Sequence, residues 1–311
     1  MDIYIYPEIE NDNKYIKLIS DLFKGDFNVR YIPKLKSLPP FLFKSWKKAN
    51  NACLILNWYE DKVSVQKLLP FTLGVLYLLL FKLMFKKIIW IKHNLKPHSG
   101  KHYKRYNLMC RLLERVSSEK ITHRHYADFS YVPHPTYRVD ASYDLKKFEE
   151  RDIDNLYFGI IKRYKGIPEL LANWPREKQL SVIGRCEDSV LFQEIANIID
   201  ERCLQVDFQN RFISDEELNS LLCRTKTVIL PHKKNSMIVS GAFYHAASFG
   251  ASVALNEGEF YDYLKGNFSF VRLINEDLTE CQLTSDIRSE LLSECSDKII
   301  RNELSRLLYN N

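Results

Sequence analysis

Short apolar, β-rich runs alternate with helical stretches from the first residues of the chain; the alternation stops near residue 138 and restarts at residue 155. No other feature limits the fold so strongly. Strands separated by a helix's worth of sequence pair in parallel, and the helices between them cover both faces of the sheet. The first series predicts strands over Ile3–Pro7, Asn28–Ile32, Cys53–Trp58, Ile88–His93, Lys120–His123 and Phe129–Pro133. Helices are expected over Lys14–Phe23, Phe41–Ala49, Val63–Phe85 and Tyr103–Val116. The second series predicts strands over Asn155–Ile161, Leu180–Gly184, Leu204–Phe208, Thr227–Pro231 and Ser252–Leu255, with helices over Gly166–Asn173, Ser189–Arg202, Asp215–Cys223 and Ser240–Phe249. The polar stretch Arg138–Asp154 reads as a linker. A chain of 311 residues suits two domains of ordinary size. The expectation is therefore an α/β protein with a Rossmann-like domain over residues 1–140 and a second over 141–284. Residues 285–311 form a C-terminal helix free to return to the first domain.

Seven cysteines are scattered without CxxC spacing, which argues against both a disulfide framework and a zinc site. The start, MDIYIYPEIE, lacks the basic-then-apolar layout of a signal peptide, so a cytoplasmic location is expected. Charge is unevenly placed. Residues 1–137 hold 23 Lys and Arg against 11 Asp and Glu, and the remainder holds 22 against 28. The basic half suits either a solvated surface or an anionic partner such as a membrane leaflet. Leu68–Phe81 is uncharged yet shorter than the roughly 20 residues of a spanning helix. It reads as a buried helix, or as a monotopic contact flanked by lysines on the cytoplasmic face. No nucleic-acid-binding motif accompanies the basic charge.

Two segments place cations and backbone donors where phosphate binds. YFGIIKRYKG (157–166) ends a predicted strand and opens a helix, which puts Lys162, Arg163 and Lys165 beyond the strand's carboxyl end. VILPHKKNSMIVSGAFYHAASFGASVAL (228–255) carries a strand into a polar loop, and Ser240 and Gly241 then open a small-residue helix. The first N–H groups of that helix point at any anion docked there. Six of the eight histidines fall in the first half (His93, His98, His102, His123, His125 and His134), but their spacing gives no metal-ligand set, and no DxD cluster is present.

Read with FISDEELNSLL (212–222), IIWIKHNLKPH (88–98) and YVPHPTY (131–137), these segments resemble, in order, the motifs of GT-B glycosyltransferases. The closest likeness is to the retaining family 4 type of bacterial surface-polysaccharide synthesis. The resemblance implies two Rossmann-like domains facing a central cleft. It implies a nucleotide diphosphate sugar as donor, and a lipid-linked or oligosaccharide glycan as acceptor in O-antigen, capsule or exopolysaccharide synthesis. No cofactor and no metal are implied. Carried over residue by residue, the donor is held by Gly159, Lys162, Arg163, Lys165, Ser240 and Gly241. His93 stands near the transferred sugar, with Lys162 and Lys165 on the leaving diphosphate. Trp58, Glu60 and His98 line the acceptor side. The sequence departs from the family at Met237 and His245, where it often has two glutamates; His245 then stands where a ribose-gripping acid is expected. An inverting transfer would need a base, for which Glu60 or Asp61 is the candidate, although that pair reads first as an exposed acidic loop. A GT-B-like epimerase or hydrolase, and a non-catalytic nucleotide-sugar-binding protein, are the competing readings.

Overall fold

The computed structural model describes residues 1–9, 14–34, 37–97, 101–232, 238–276 and 286–309, the side chains of 43–48 excepted. The chain forms two compact units, one of Met1–Pro135, Met237–Val239 and Cys295–Asn311, the other of Thr136–Ser236 and Ser240–Glu294.

In the first unit β1 (Asp2–Tyr6), β2 (Asn28–Tyr31), β3 (Cys53–Asn57), β4 (Lys87–Ile91), β5 (Glu119–Thr122) and β6 (Ser130–Tyr131) form a sheet of order β2-β1-β3-β4-β5-β6. Every pairing is parallel. Runs such as CLILN in β3 are buried at every position, as strands covered on both sides must be. Alternate residues divide between two cores. Ile3 and Ile5 face α1 (Lys14–Phe23) and the C-terminal α12 (Asp297–Tyr309), which contributes Ile300, Leu304, Leu307 and Leu308. Tyr4 and Tyr6 face α2 (Leu38–Ala49), α3 (Tyr59–Ser64), α4 (Leu68–Met84) and α5 (Tyr103–Val116).

The single helix expected over Val63–Phe85 is two, α3 and α4. Pro70 explains the break: inside a longer helix its ring would clash with the carbonyl of Gln66, whereas in the first turn of α4 it costs nothing. Gly74 then lets α4 cross close to α3, because a Cβ there would lie 2.5 Å from Val63 Cγ1.

The second unit holds β7 (Ile153–Phe158), β8 (Leu180–Ile183), β9 (Val206–Gln209), β10 (Thr225–Leu230), β11 (Ser252–Leu255) and β12 (Val271–Leu273), in the order β12-β11-β10-β7-β8-β9. All its pairings are parallel as well. This is the doubly wound order of dinucleotide-binding folds. Its helices are α6 (Ile167–Asn173), α7 (Ser189–Arg202), α8 (Asp215–Arg224), α9 (Gly241–Ser248), α10 (Glu259–Asn267) and α11 (Ile287–Cys295). Sequence reading did not anticipate α10 and β12, and it ran α11 and α12 together. Nor is the stretch read as a linker slack at its end. Arg151 is buried and donates to the carbonyls of Lys146, Leu222, Thr225 and Phe249, which fixes the entry to β7.

Candidate functional site

The second sheet reverses direction between β7 and β10: the chain runs outward to β8 and β9 on one side, then to β11 and β12 on the other. Loops diverge at such a switch point and leave a crevice beyond the carboxyl ends of the strands. Here the loop after β7 is built from backbone contacts. The Gly159 N–H donates to the Ile183 carbonyl at 3.1 Å, and the Ile161 N–H donates to that of Arg185 at 3.0 Å. Only glycine fits at 184, where a Cβ would lie 1.9 Å from the Gly159 oxygen. After a short turn over Arg163–Lys165, Gly166 takes φ +76° and opens α6. A Cβ on it would stand 2.3 Å from the Pro231 carbonyl oxygen, so the start of α6 presses directly on the chain leaving β10.

That approach brings Lys165 to His232, with Nζ 2.6 Å from Nε2. His232 is buried, and burial followed by the Lys165 charge pushes its pKa down to about 3. It is therefore a neutral ring accepting from the ammonium. Burial, and then repulsion from Lys162, lowers Lys165 to about 8. The Asn256 side chain donates to the carbonyls of Pro231 and His232 and holds this turn in place. Lys162 is exposed at the mouth of the turn. Arg163 points away and pairs with Glu194 at 2.8 Å across an exposed surface.

At the carboxyl end of β10 the chain passes through Ser240 into α9. Ser240 is buried and its hydroxyl makes no cap, while the Phe243 N–H turns back to the Ser240 carbonyl. The opening N–H groups of α9 are thus left uncapped by that side chain. His245, in the next turn, is not presented at this edge. It is buried, with Nε2 2.7 Å from Asn219 Oδ1 and its ring stacked on Tyr137 at 4.1 Å. A cavity of about 720 Å³ also opens at this edge, lined by Glu169, Lys178, Asn256, Glu257 and Glu276 among others. With three carboxylates around one lysine it does not suit a diphosphate, in contrast to the Lys162–Lys165 turn.

The first unit carries a cluster of rings at its own carboxyl edge. Trp58 follows β3 in the left-handed region, φ +50°, and stacks on His93 at 4.0 Å. His93 is buried, and its Nε2–H donates to Asn57 Oδ1 at 3.1 Å while Asn57 Nδ2 donates to the Tyr6 carbonyl. Tyr15 Oη donates to His123 Nε2 at 2.8 Å, and His123 Nδ1–H donates to the Val132 carbonyl. Burial holds His123 down to about 4 and His134 well below its ordinary value.

Glu60 and Asp61 are not an exposed acidic loop. They lie in the first turn of α3, and both are buried. Trp90 Nε1–H donates to Glu60 at 3.0 Å, and burial followed by the Asp61 charge raises Glu60 to about 8. Asn94 donates to Asp61 at 2.9 Å. Neither carboxylate is placed to meet an acceptor or to serve as a base. His98 and Met237 lie outside the described residues. Among the described residues no group of three or more His, Cys, Asp or Glu side chains is arranged to hold a metal ion. Sequence reasoning did not single out His232; the one available signal was its place directly after a strand at the switch point.

No protein-family model matches the sequence, and no curated protein matches it. Solved structures do match over almost the whole chain. HepE of Anabaena, solved in complex with UDP and glucose, superposes with a TM-score of 0.68 over 99% of each chain at 11% identity. AviGT4, a glycosyltransferase involved in avilamycin A biosynthesis, gives 0.52 over 99% of this chain and 92% of its own, at 12% identity. The UDP-forming α,α-trehalose-phosphate synthase of Burkholderia vietnamiensis gives 0.53 over 83% and 72%, at 10% identity. These neighbours are GT-B glycosyltransferases, and the chain has their α/β, GT-B type fold.

Proposed function

We propose that this chain is a glycosyltransferase that takes a sugar from a nucleoside diphosphate sugar, with the diphosphate held at the carboxyl edge of the second sheet. One observation carries the reading: Lys165 stands at the switch point beside Lys162, and its hydrogen-bond partner is a neutral imidazole rather than a carboxylate. Two close cations without an acid between them favour a multiply charged anion. The neighbours support a nucleotide, since HepE was solved with UDP and the trehalose-phosphate synthase is UDP-forming.

Chemistry follows from charge. As the bond between the sugar C1 and the diphosphate oxygen breaks, negative charge grows on the departing phosphate. Lys165, held on His232, and the first N–H groups of α9 are in place before it appears, and exposed Lys162 adds its charge at the mouth of the turn, so the stabilisation is greatest in the transition state. We assign Gly159, Gly166 and Ser240 the backbone geometry of this cradle. With Glu60 buried, transfer with retention needs no protein base. The acceptor hydroxyl attacks C1 from the face the diphosphate leaves, and its proton passes to a diphosphate oxygen. The acceptor is a glycan, lipid-linked or oligosaccharide, of the surface-polysaccharide kind, with Trp58 as its platform. His93 positions Trp58 by stacking beneath it. His245 is spent on Tyr137 and Asn219, so the ribose is held by groups other than that ring.

Titration with UDP, GDP, dTDP and ADP by calorimetry, followed by mass spectrometry of the matching sugar nucleotides with a lipid-diphosphate acceptor, tests this. One nucleotide should bind, and Lys165→Ala should weaken it tenfold or more, about the value of one charge-assisted contact, with the far-ultraviolet circular dichroism of the folded chain retained. Absence of binding by every nucleoside diphosphate would overturn the reading.

A further inference from the structure

No helix among the described residues is long and apolar enough to cross a membrane. Yet α4 is apolar around most of its circumference, and only one side of it is used. Phe71, Gly74, Leu78 and Phe81 are buried in the first unit's core. Leu69, Leu73, Leu76, Leu79 and Leu83 recur every three or four residues on the opposite side, with Leu69 70% and Leu83 71% exposed. A continuous stripe of exposed leucines is not scattered surface apolarity; it marks a face that something covers.

The charges say what covers it. The stripe is bracketed by exposed Lys67 at one end and by exposed Lys82 and Lys86 at the other, and α4 contains no acidic residue. The next helix, α5, adds exposed Lys104, Arg111 and Arg115 against one exposed acid, Glu114. A second copy of the chain is disfavoured on this ground, because joining two such stripes would bring two sets of lysines together with no carboxylate in α4 to pair them. Anionic lipid head groups satisfy both features at once, the leucines entering the acyl boundary while the cations stay among the phosphates. We propose that α4 lies in the plane of an anionic bilayer surface and docks the first unit on it through this leucine face.

Co-sedimentation with vesicles of phosphatidylcholine containing about one-third phosphatidylglycerol reads the proposal directly. The chain should pellet with these vesicles at low salt, should not pellet with pure phosphatidylcholine, and should be released by salt. Leu76→Ser combined with Leu83→Ser should cut partitioning at least tenfold. Lys82→Ala should cut it about fivefold, the effect of one cation at such a surface. Because these side chains do not pack in the core, thermal midpoint and nucleotide affinity should stay as in the parent chain. Leu76→Trp should be quenched by brominated lipid. Failure to pellet with anionic vesicles, or a concentration-dependent dimer that the double serine variant abolishes, would overturn it.

Discussion

Lys165 donates to a ring that burial keeps neutral, and its own charge is held loosely, with a pKa lowered to about 8. A bound diphosphate would favour the ammonium and raise that value, so binding takes up a proton once pH exceeds 8. Affinity for UDP is therefore expected to be flat below pH 8 and to fall up to tenfold per pH unit above it. Lys165→Arg, charged throughout, should remove the fall. Calorimetry between about pH 7 and pH 9.5 at constant ionic strength measures both. Much of this site was legible at the level of residue type. The basic turn at 162–165 and the Ser240-Gly241 helix start both stand on the carboxyl edge. The pairing of Lys165 with His232 was not legible, because 67 positions separate them and only the adjacency of β7 and β10 brings them together. Glu60 misled for a related reason. Two acids after a strand look like a surface loop until α3, which begins at Tyr59, turns Glu60 inward to Trp90.

Two helical glycines illustrate how packing decides the sign of one substitution. Gly74→Ala puts a methyl into Val63 where α3 and α4 cross, and overpacking of this kind costs about 1–3 kcal/mol. Gly266→Ala, in exposed α10, meets nothing within 4 Å and should stabilise by about 0.5 kcal/mol through the unfolded chain. Urea denaturation of the two variants should show midpoints moving in opposite directions. The same contrast explains what was readable among the elements. Lys14–Phe23, Tyr103–Val116, Ser189–Arg202 and Ser252–Leu255 have the expected bounds, since their apolar spacing is regular and their ends are marked. The break between α3 and α4 depended on weighing Pro70 as a helix start rather than as a flaw in one long helix. The short β12, Val-Arg-Leu, is too brief to announce itself and owes its state to pairing with β11.

At the scale of the whole molecule, burial holds several of the described histidines below their ordinary pKa, among them His123 at about 4, His232 at about 3, and His134 well below. An unfolded chain takes up protons on all three near pH 6.5, and the folded one does not. The contribution of these histidines to stability is then complete above that value and is lost as pH falls from 6.5 toward 4, by at most about 4 kcal/mol per pH unit for three protons. Guanidinium midpoints across this window should drop, and less steeply in His123→Gln. The placement of α12 has a consequence for biosynthesis. The first unit's sheet is covered on one face by α1 and by Ile300, Leu304, Leu307 and Leu308, which the ribosome adds only after the entire second unit. At about 5–20 residues per second, Ile3, Ile55 and Ile89 wait on the order of 10–60 s for their cover. A product cut short before α12 would keep the cover of α1 but leave the rest of that isoleucine face open to water.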